Sequence, residues 1–467
     1  MAETESQLQW GGRFAAAPDA ALLAFGSSLA DDLALAAFDV RCSRGHVASL
    51  YGGALLSDAD AAALSAALDT VAGEVADGSF DAFARAGTYE DVHGAIDARV
   101  RELAPAAGES LHAGRSRNDQ VATTLLLYAR DRARRGRELC AGIAGAVENR
   151  AAAALERGAL LAATTHWQPA QPILLAFWLD ACAQGFVRAA RRFADVERAA
   201  KENCPLGSGA VAGSSLPLDR WAAARELGFA RPSRNALDTI GDRDVALDLL
   251  HAAARATVAA SRPSEEFVIW STPAFGYARL GDAASTGSSL MPQKRNPDPF
   301  ELVRAGAAQI AALYSGALAT TTGIALSYHR DLQETKANVI RGTERALATL
   351  DAFARAFDEL VFDERAMTAR AADGYTVATD LADAVIVSGR TARAAHRAAG
   401  ERVLRAELAG RALDASDTQA LGVPLTPVDA RGSVDGKRTA GSTNPRAVAD
   451  SIAQTKSEIA GLRETPT

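Results

Sequence analysis

The sequence predicts an all-α fold with a long central helical bundle, and three observations carry that prediction. No proline occurs between Pro105 and Pro169, and none from Phe300 to Val423, so two long stretches lack the ring that breaks a helix interior. Within the first stretch Val121, Leu125, Tyr128, Leu139, Ile143 and Val147 recur at helical spacing. Ala, Leu and Arg dominate while aromatics make up only 6%, a composition of strong helix formers. Helices this long cannot each find a private core. They bury their apolar stripes against one another, which also favours oligomerisation through the bundle.

The elements follow in order. Trp10-Gly11-Gly12-Arg13-Phe14 is a short aromatic and glycine patch near the start. Residues 22–35 read as one helix with Ser27 and Ser28 inside it. Ser57 and Asp58 cap the next helix, which runs to about Asp77 and Gly78. Ile96, Val100 and Leu103 mark another, broken by 105–108. Residues 119–157 form the first very long helix, and 172–203 the second, with Pro172 in its first turn. A third begins near Phe300. Gly207-Ser208-Gly209, followed by Gly213, has no strand before it, so it reads as a turn between bundle elements and not as a dinucleotide site. After Phe362 the segments shorten. One helix starts near Thr379, another holds Arg393, Ala395 and His396, and a Gly/Ser/Thr loop over 435–445 precedes a final helix. The chain has 467 residues, more than one core usually supports. Three domains are expected: 1–108, 109–362 as the bundle, and 363–467 as a small helical domain.

Net charge is −7, which gives no electrostatic footprint for nucleic acid. Cys42, Cys140, Cys182 and Cys204 fit neither a disulfide framework nor a zinc site, and free thiols point to a reducing cytoplasm. Met1 to Trp10 is polar and unlike a signal peptide. The most apolar run, 173–179, is too short to span a bilayer and stops at Asp180. A cytoplasmic protein without membrane or nucleic-acid partners is expected.

Chemistry concentrates in four stretches. Residues 285–298 form a loop, because Gly287 frees the backbone and Pro292 and Pro297 break any ladder. Hydroxyls, the Lys294 ammonium and the Asn296 amide crowd together there. Arg115, Ser116, Arg117 and Asn118 sit just before a long helix, where guanidinium groups and the helix N-terminus both favour an anion. His166 lies between Thr165 and Gln168 at what reads as a helix start, a better place for a proton carrier or carboxylate binder than for a lone core histidine. Tyr328, Gln333 and Lys336 share the fourth stretch. The chain has five lysines and forty-five arginines, yet Lys294 and Lys336 both fall in these stretches. A compact ammonium and a planar guanidinium are not interchangeable at a tight site. No His-Glu-x-x-His, paired Cys or Gly-rich Lys-Ser/Thr loop is present, so neither a metal nor a cofactor is implied.

Gly287-Ser288-Ser289-Leu290-Met291-Pro292-Gln293-Lys294-Arg295-Asn296 resembles the signature loop of the aspartase/fumarase superfamily. The opening Trp10 to Phe14 patch, the His112 to Gln120 stretch, the Thr164 to Pro172 stretch and the Tyr328 to Lys336 stretch resemble those of its argininosuccinate lyase branch. The resemblance runs from Trp10 to Pro445. It implies a three-domain all-α fold in a homotetramer whose active sites are each shared between three subunits. It also implies a β-elimination that takes argininosuccinate to arginine and fumarate. Ser288 would be the base, with Lys294 and Asn296 stabilising the aci-carboxylate. His166, backed by Glu301, would be the general acid. Ser28, Arg115, Ser116, Asn118, Thr165, Gln168, Asn296, Tyr328, Gln333 and Lys336 would bind the substrate. Ala113, Thr124, Trp167 and His329 depart from the threonine, aspartate, leucine and asparagine common in the family. They keep open a related carbon–nitrogen lyase acting on another N-substituted aspartate. A catalytically silent, crystallin-like homologue is the alternative of another class.

Overall fold

The computed structural model describes residues 19–424 and 429–464. The Trp10 to Phe14 patch lies outside them. The chain divides into two compact units. The first comprises Met1–Arg137, Arg192–Arg255 and Ala307–Ala348; the second comprises Glu138–Arg191, Ala256–Gly306 and Thr349–Thr467. Each unit draws on parts of five long helices: Arg117–Arg157, Leu175–Ala199, Asp244–Trp270, Asp298–Thr320 and Leu332–Asp358. Among the described residues the only sheets are three of two strands each, so the expected all-α class holds.

In the first unit the helices Ala36–Gly52, Asp58–Asp77 and Val92–Leu103 pack together. Leu50, Leu64, Leu68, Val71 and Val100 are fully buried between them. The expected caps are present. Ser57 Oγ accepts the Asp60 N–H at 3.1 Å, and Gly78 ends that helix with φ +83°, the left-handed turn that glycine adopts most readily. The second unit clusters many of the scarce aromatics in its core. Phe267 meets Phe300 at 4.9 Å between centroids, Trp178 meets Trp270 at 4.7 Å, and Phe186 meets Phe353 at 5.3 Å. The aromatics of this unit fill a dense core because they are clustered, each ring burying a large apolar area.

Three sequence expectations need correction. The 22–35 helix is broken. Ala20–Gly26 ends at Ser27, which is extended at φ −72°, ψ 135°, and Leu29–Asp32 starts afresh after Ser28. The break is stabilised because Ser28 N–H donates to the Glu90 carbonyl at 2.9 Å and Ser27 Oγ donates to the same atom at 3.1 Å. Helical periodicity alone carries no signal of such a distant acceptor. Second, 160–174 is a β-hairpin, not a helix start. Leu160–Thr165 pairs antiparallel with Gln168–Leu174, and the second long helix begins only at Leu175. Pro169 and Pro172 fit a two-stranded sheet, where every strand is an edge. Third, the proline-free stretch from Phe300 is not one helix: the helix expected near Phe300 runs Asp298–Thr320, and 321–331 is irregular before the Leu332–Asp358 helix. Glycine and a run of threonines interrupt it without any proline. Two stretches, Ala20–Gly52 and Asp298–Thr320, are long and apolar enough to cross a membrane by length and composition. The first is interrupted at Ser27 and carries the buried Asp32 and Asp39.

Candidate active site

In the first unit, sequence-distant residues meet around a cavity of about 350 Å³. The helix break delivers Ser28, the start of the Arg117–Arg157 helix delivers Arg117 and Asn118, and the irregular 321–331 segment with the next helix delivers Tyr328, Gln333 and Lys336. Lys336 is 4% exposed and Asp32 fully buried. Lys336 Nζ lies 2.7 Å from Asp32 Oδ1 and 2.8 Å from Oδ2. Ser28 Oγ donates to Asp32 Oδ2 at 2.5 Å and accepts from Lys336 Nζ at 3.4 Å. Buried charges persist only when paired and hydrogen-bonded, and this triad meets that condition. Gln333 Nε2 donates to the Gly26 carbonyl at 3.2 Å, so the same helix break also orients the Gln333 amide.

The remaining wall is charge-paired. Arg117 Nε is 2.9 Å from Asp91 Oδ2, and Arg330 Nη1 is 2.6 Å from Glu90 Oε1. Burial pushes the Asp91 carboxyl up, but Arg117, His93 and the Gly94 N–H outweigh it and hold the carboxyl below its ordinary range. Burial, with Arg115 and Arg117 nearby, lowers His112 to about 4, so at neutral pH its imidazole is uncharged. Burial raises the Tyr328 phenol. The cavity thus offers neutral donors and acceptors beside compensated ion pairs, a suitable lining for a zwitterionic ligand.

Arg115 and Ser116, expected to bind substrate, do not line this cavity. Arg115 is 6% exposed and donates from Nη1 to Ser43 Oγ at 3.0 Å. It lies near the buried Asp39, which sits 2.8 Å from His93 Nδ1 and accepts from Gln120 Nε2 and Thr124 Oγ1. Ser116 Oγ accepts the Asn118 N–H at 3.2 Å. Sequence reasoning missed Asp32, Asp91, His112, Arg243 and Arg330 on or behind the wall. Asp32 had one local signal, its position four residues after Ser28 on a helix. Arg330 sat inside a stretch already singled out.

In the second unit the hairpin presents His166 and Trp167 as the two central residues of its turn, at φ +54° and +59°. Two left-handed central residues define a type I′ turn, whose twist matches the flanking strands. Thr165 and Gln168 pair beside it, exposed. His166 borders a cavity of about 550 Å³ with Arg262, Glu265, Glu266 and Arg304. Burial raises Glu266 to about 7, although its Oε2 accepts the Trp178 indole N–H at 3.0 Å.

The 285–297 stretch is a loop, as its glycine and prolines require. Thr286 and Asn296 close its base by exchanging backbone hydrogen bonds of 3.2 and 2.9 Å. Asn296 Nδ2 donates to the Gly287 carbonyl at 3.2 Å. Ser288 Oγ accepts the N–H groups of Met291 at 3.1 Å and Leu290 at 3.3 Å. Donors aimed at a hydroxyl oxygen favour its anionic form. Lys294 is exposed, and among the described residues its ammonium has neither an ion-pair nor a hydrogen-bond partner. Glu301 is exposed in the first turn of the Asp298–Thr320 helix. Among the described residues it forms no hydrogen bond or ion pair with His166.

A fold of long packed helices with a serine–lysine–asparagine loop and a charge-paired cavity belongs to the aspartase/fumarase class. The model of a family described as "Lyase" matches residues 12–312. Solved structures share the fold. An EDDS lyase in complex with formate superposes with a TM-score of 0.78 at 24% identity, covering 96% of this chain and 94% of that one. A class II fumarase from Schistosoma mansoni gives 0.70 at 15% identity, covering 84% and 88%. Closer in sequence is an argininosuccinate lyase of Mycolicibacterium paratuberculosis (strain ATCC BAA-968 / K-10), 41% identical over 99% of both chains. That of Nocardia farcinica (strain IFM 10152) is also 41% identical, over 97% of this chain and 96% of its own. The chain belongs to the argininosuccinate lyase family of that superfamily.

Proposed function

We propose that the chain is a carbon–nitrogen lyase that converts argininosuccinate to L-arginine and fumarate, a step of arginine biosynthesis. The observation that carries this reading is 41% identity to an argininosuccinate lyase across 99% of both chains. Ser288, held as its alkoxide by the loop N–H groups and the Lys294 charge, acts as the base and takes the proton from the carbon next to a succinyl carboxylate. The electron pair passes first into that carboxylate as an aci-carboxylate, which Lys294 and Asn296 stabilise. It then forms the carbon–carbon double bond as the carbon–nitrogen bond breaks. His166, with Glu301 behind it, protonates the departing guanidinium nitrogen. The two N–H groups on Ser288 Oγ and the unpaired Lys294 ammonium support these roles. Thr165 and Gln168, with Asn118, Lys294 and Asn296, hold the succinyl half. Ser28, Tyr328, Gln333 and Lys336 hold the amino-acid half, and Asp32 fixes the Lys336 ammonium. Arg115 and Ser116 support the binding segment from behind.

The enzyme works as a cytoplasmic homotetramer with each site shared between three subunits, and it takes no nucleic-acid or membrane partner. The division into 1–108, 109–362 and 363–467 describes its domains; small cores of its own, around Leu381 with Ala406 and around Val385 with Ala395, support the last. The test is the absorbance of fumarate released from argininosuccinate, against a panel of other N-substituted aspartates. Fumarate from argininosuccinate is expected. Release only from another member of the panel removes the assignment.

A further inference from the structure

The glycine-rich stretch 207–213 is joined to the anion-binding stretch by one carboxylate. Asp119 is fully buried in the first turn of the Arg117–Arg157 helix. Its Oδ2 accepts the N–H groups of Gly207 and Gly209, both at 2.9 Å, and its Oδ1 accepts the Ser116 N–H at 3.0 Å. Beside it, Asn118 Nδ2 donates to the Ala210 carbonyl at 2.9 Å, and Asn118 lines the cavity. The loop is built for this contact. Gly209 has φ +63°, and a Cβ there would lie 2.6 Å from the Gly213 carbonyl oxygen, so no other residue fits. The Gly213 N–H closes the turn on the Ser208 carbonyl at 2.8 Å. Arg220 Nη2 braces the Ser208 and Ser233 hydroxyls at 3.1 and 2.9 Å. Clustered loop N–H groups commonly cradle a ligand anion. Here the anion belongs to the protein.

We propose that Asp119 is a positioning residue for the succinyl half of the substrate. It clamps the 207–213 loop, and the Ala210 carbonyl on that loop then fixes the Asn118 side chain at the cavity wall. The inference rests on the assignment of Asn118 to the succinyl half. Asp119 itself is buried and does not line the cavity, so it acts only through Asn118. Without its carboxylate, the Gly207 and Gly209 N–H groups lose a buried acceptor. A loop left with unsatisfied buried donors shifts to satisfy them, and Ala210 shifts with it.

Asp119→Asn keeps the shape but turns one acceptor oxygen into a donor facing donors. The measurement is inhibition of the full-length enzyme by fumarate and by arginine, separately, together with kcat, KM and Tm. The fumarate inhibition constant is expected to rise about tenfold, the loss of one charge-assisted hydrogen bond. Arginine inhibition should stay unchanged, and KM should rise by more than kcat falls. Equal weakening of both inhibitors, or unchanged fumarate inhibition, overturns the proposal. If Asp119→Asn does not fold, Gly213→Ala replaces it. A Cβ there meets nothing within 4 Å, but φ is +84°, so the substitution strains the loop alone. The same selective weakening is expected, and its absence again overturns the idea. The unmodified enzyme separates the two readings. If fumarate does not inhibit it, the succinyl assignment fails and the proposal with it. If fumarate does inhibit it and Asp119→Asn shows no selectivity, only the positioning role fails.

Discussion

In the first unit Lys336, Arg117 and Arg330 each meet a carboxylate at 2.6 to 2.9 Å. In the second unit Lys294 meets none among the described residues, and Ser288, Lys294 and His166 stand on a loop and a hairpin tip. The two regions carry the same kinds of residue but hold them differently. The first is assembled before any substrate arrives, its charges compensated and its rotamers fixed, as recognition requires. The second keeps an ammonium without a partner among the described residues on an exposed loop, as the role proposed for Lys294, meeting charge that develops only during reaction, requires. Removing a lysine held in a buried pair costs stability; removing one without a partner does not.

The widest separation should appear between the two lysines. Lys336→Met leaves Asp32 buried and unpaired, which costs roughly 3–5 kcal/mol, and adding Asp32→Asn should recover part of it. Lys294→Met should stay within about 0.5 kcal/mol, as for other surface changes. Denaturant unfolding of the variants side by side checks this. A Lys336→Met protein as stable as Lys294→Met would erase the contrast. Ser288→Ala should come next. It should lower kcat at least ~10²-fold and leave the melting temperature essentially unchanged, as shown by fumarate release beside a thermal scan. A variant with near-normal kcat would take Ser288 out of the mechanism.

The regions should also separate by pH. The folded-state pKa of His112, in the first unit, is depressed to about 4 from an ordinary 6.5, burial being the main cause. A depressed histidine stabilises the fold above pH 6.5, and that contribution is lost as pH falls toward 4. Glu148, in the second unit, is pushed up to about 9 from 4.5, first by burial and then by the neighbouring Asp180 carboxyl. A raised carboxyl contributes fully below 4.5, and its contribution declines as pH rises through 9. Asp180 is held by Ser451 Oγ at 2.7 Å and Thr455 Oγ1 at 3.0 Å on the Pro445–Arg463 helix. Hydrogen exchange resolved along the chain should therefore show that helix loosening at alkaline pH. Glu148→Gln should remove the alkaline loss, and an unchanged alkaline profile in that variant would exclude the pair as its source. The smallest effect concerns the hairpin. Trp167 at φ +59° carries backbone strain that glycine lacks, so Trp167→Gly should stabilise by about 1 kcal/mol. A fall in Tm would show that contacts of the ring outweigh the strain.

The residues that local chemistry controls were legible in the sequence. Ser57 and Gly78 bound their helix as capping rules require, and the 285–297 loop followed from Gly287, Pro292 and Pro297. The hairpin was hidden because Pro172 fits a first helical turn and an edge strand equally well, and only the cross-chain pairing decides. Ser28 was assigned to the site through resemblance. Its partner Asp32 and the Glu90 carbonyl that breaks the helix beside it are tertiary facts. Arg115 and Arg117 are chemically equivalent in sequence. The fold turns one toward Ser43 and the other toward the cavity, and no local pattern distinguishes them. The glycine loop is a turn, as read, although a two-residue strand, Asn203–Cys204, does precede it, paired with Arg231–Pro232; its clamp on Asp119 joins residues 88 and 90 positions apart in the chain.

The most direct test separates holding from reacting. Argininosuccinate is titrated into Ser288→Ala by calorimetry while fumarate absorbance is followed in the same samples. The account predicts saturable binding with no fumarate above background, because the cavity of the first unit is untouched and only the proposed base is missing. Fumarate appearing at the unmodified enzyme's rate, or no binding by a folded variant, would contradict it.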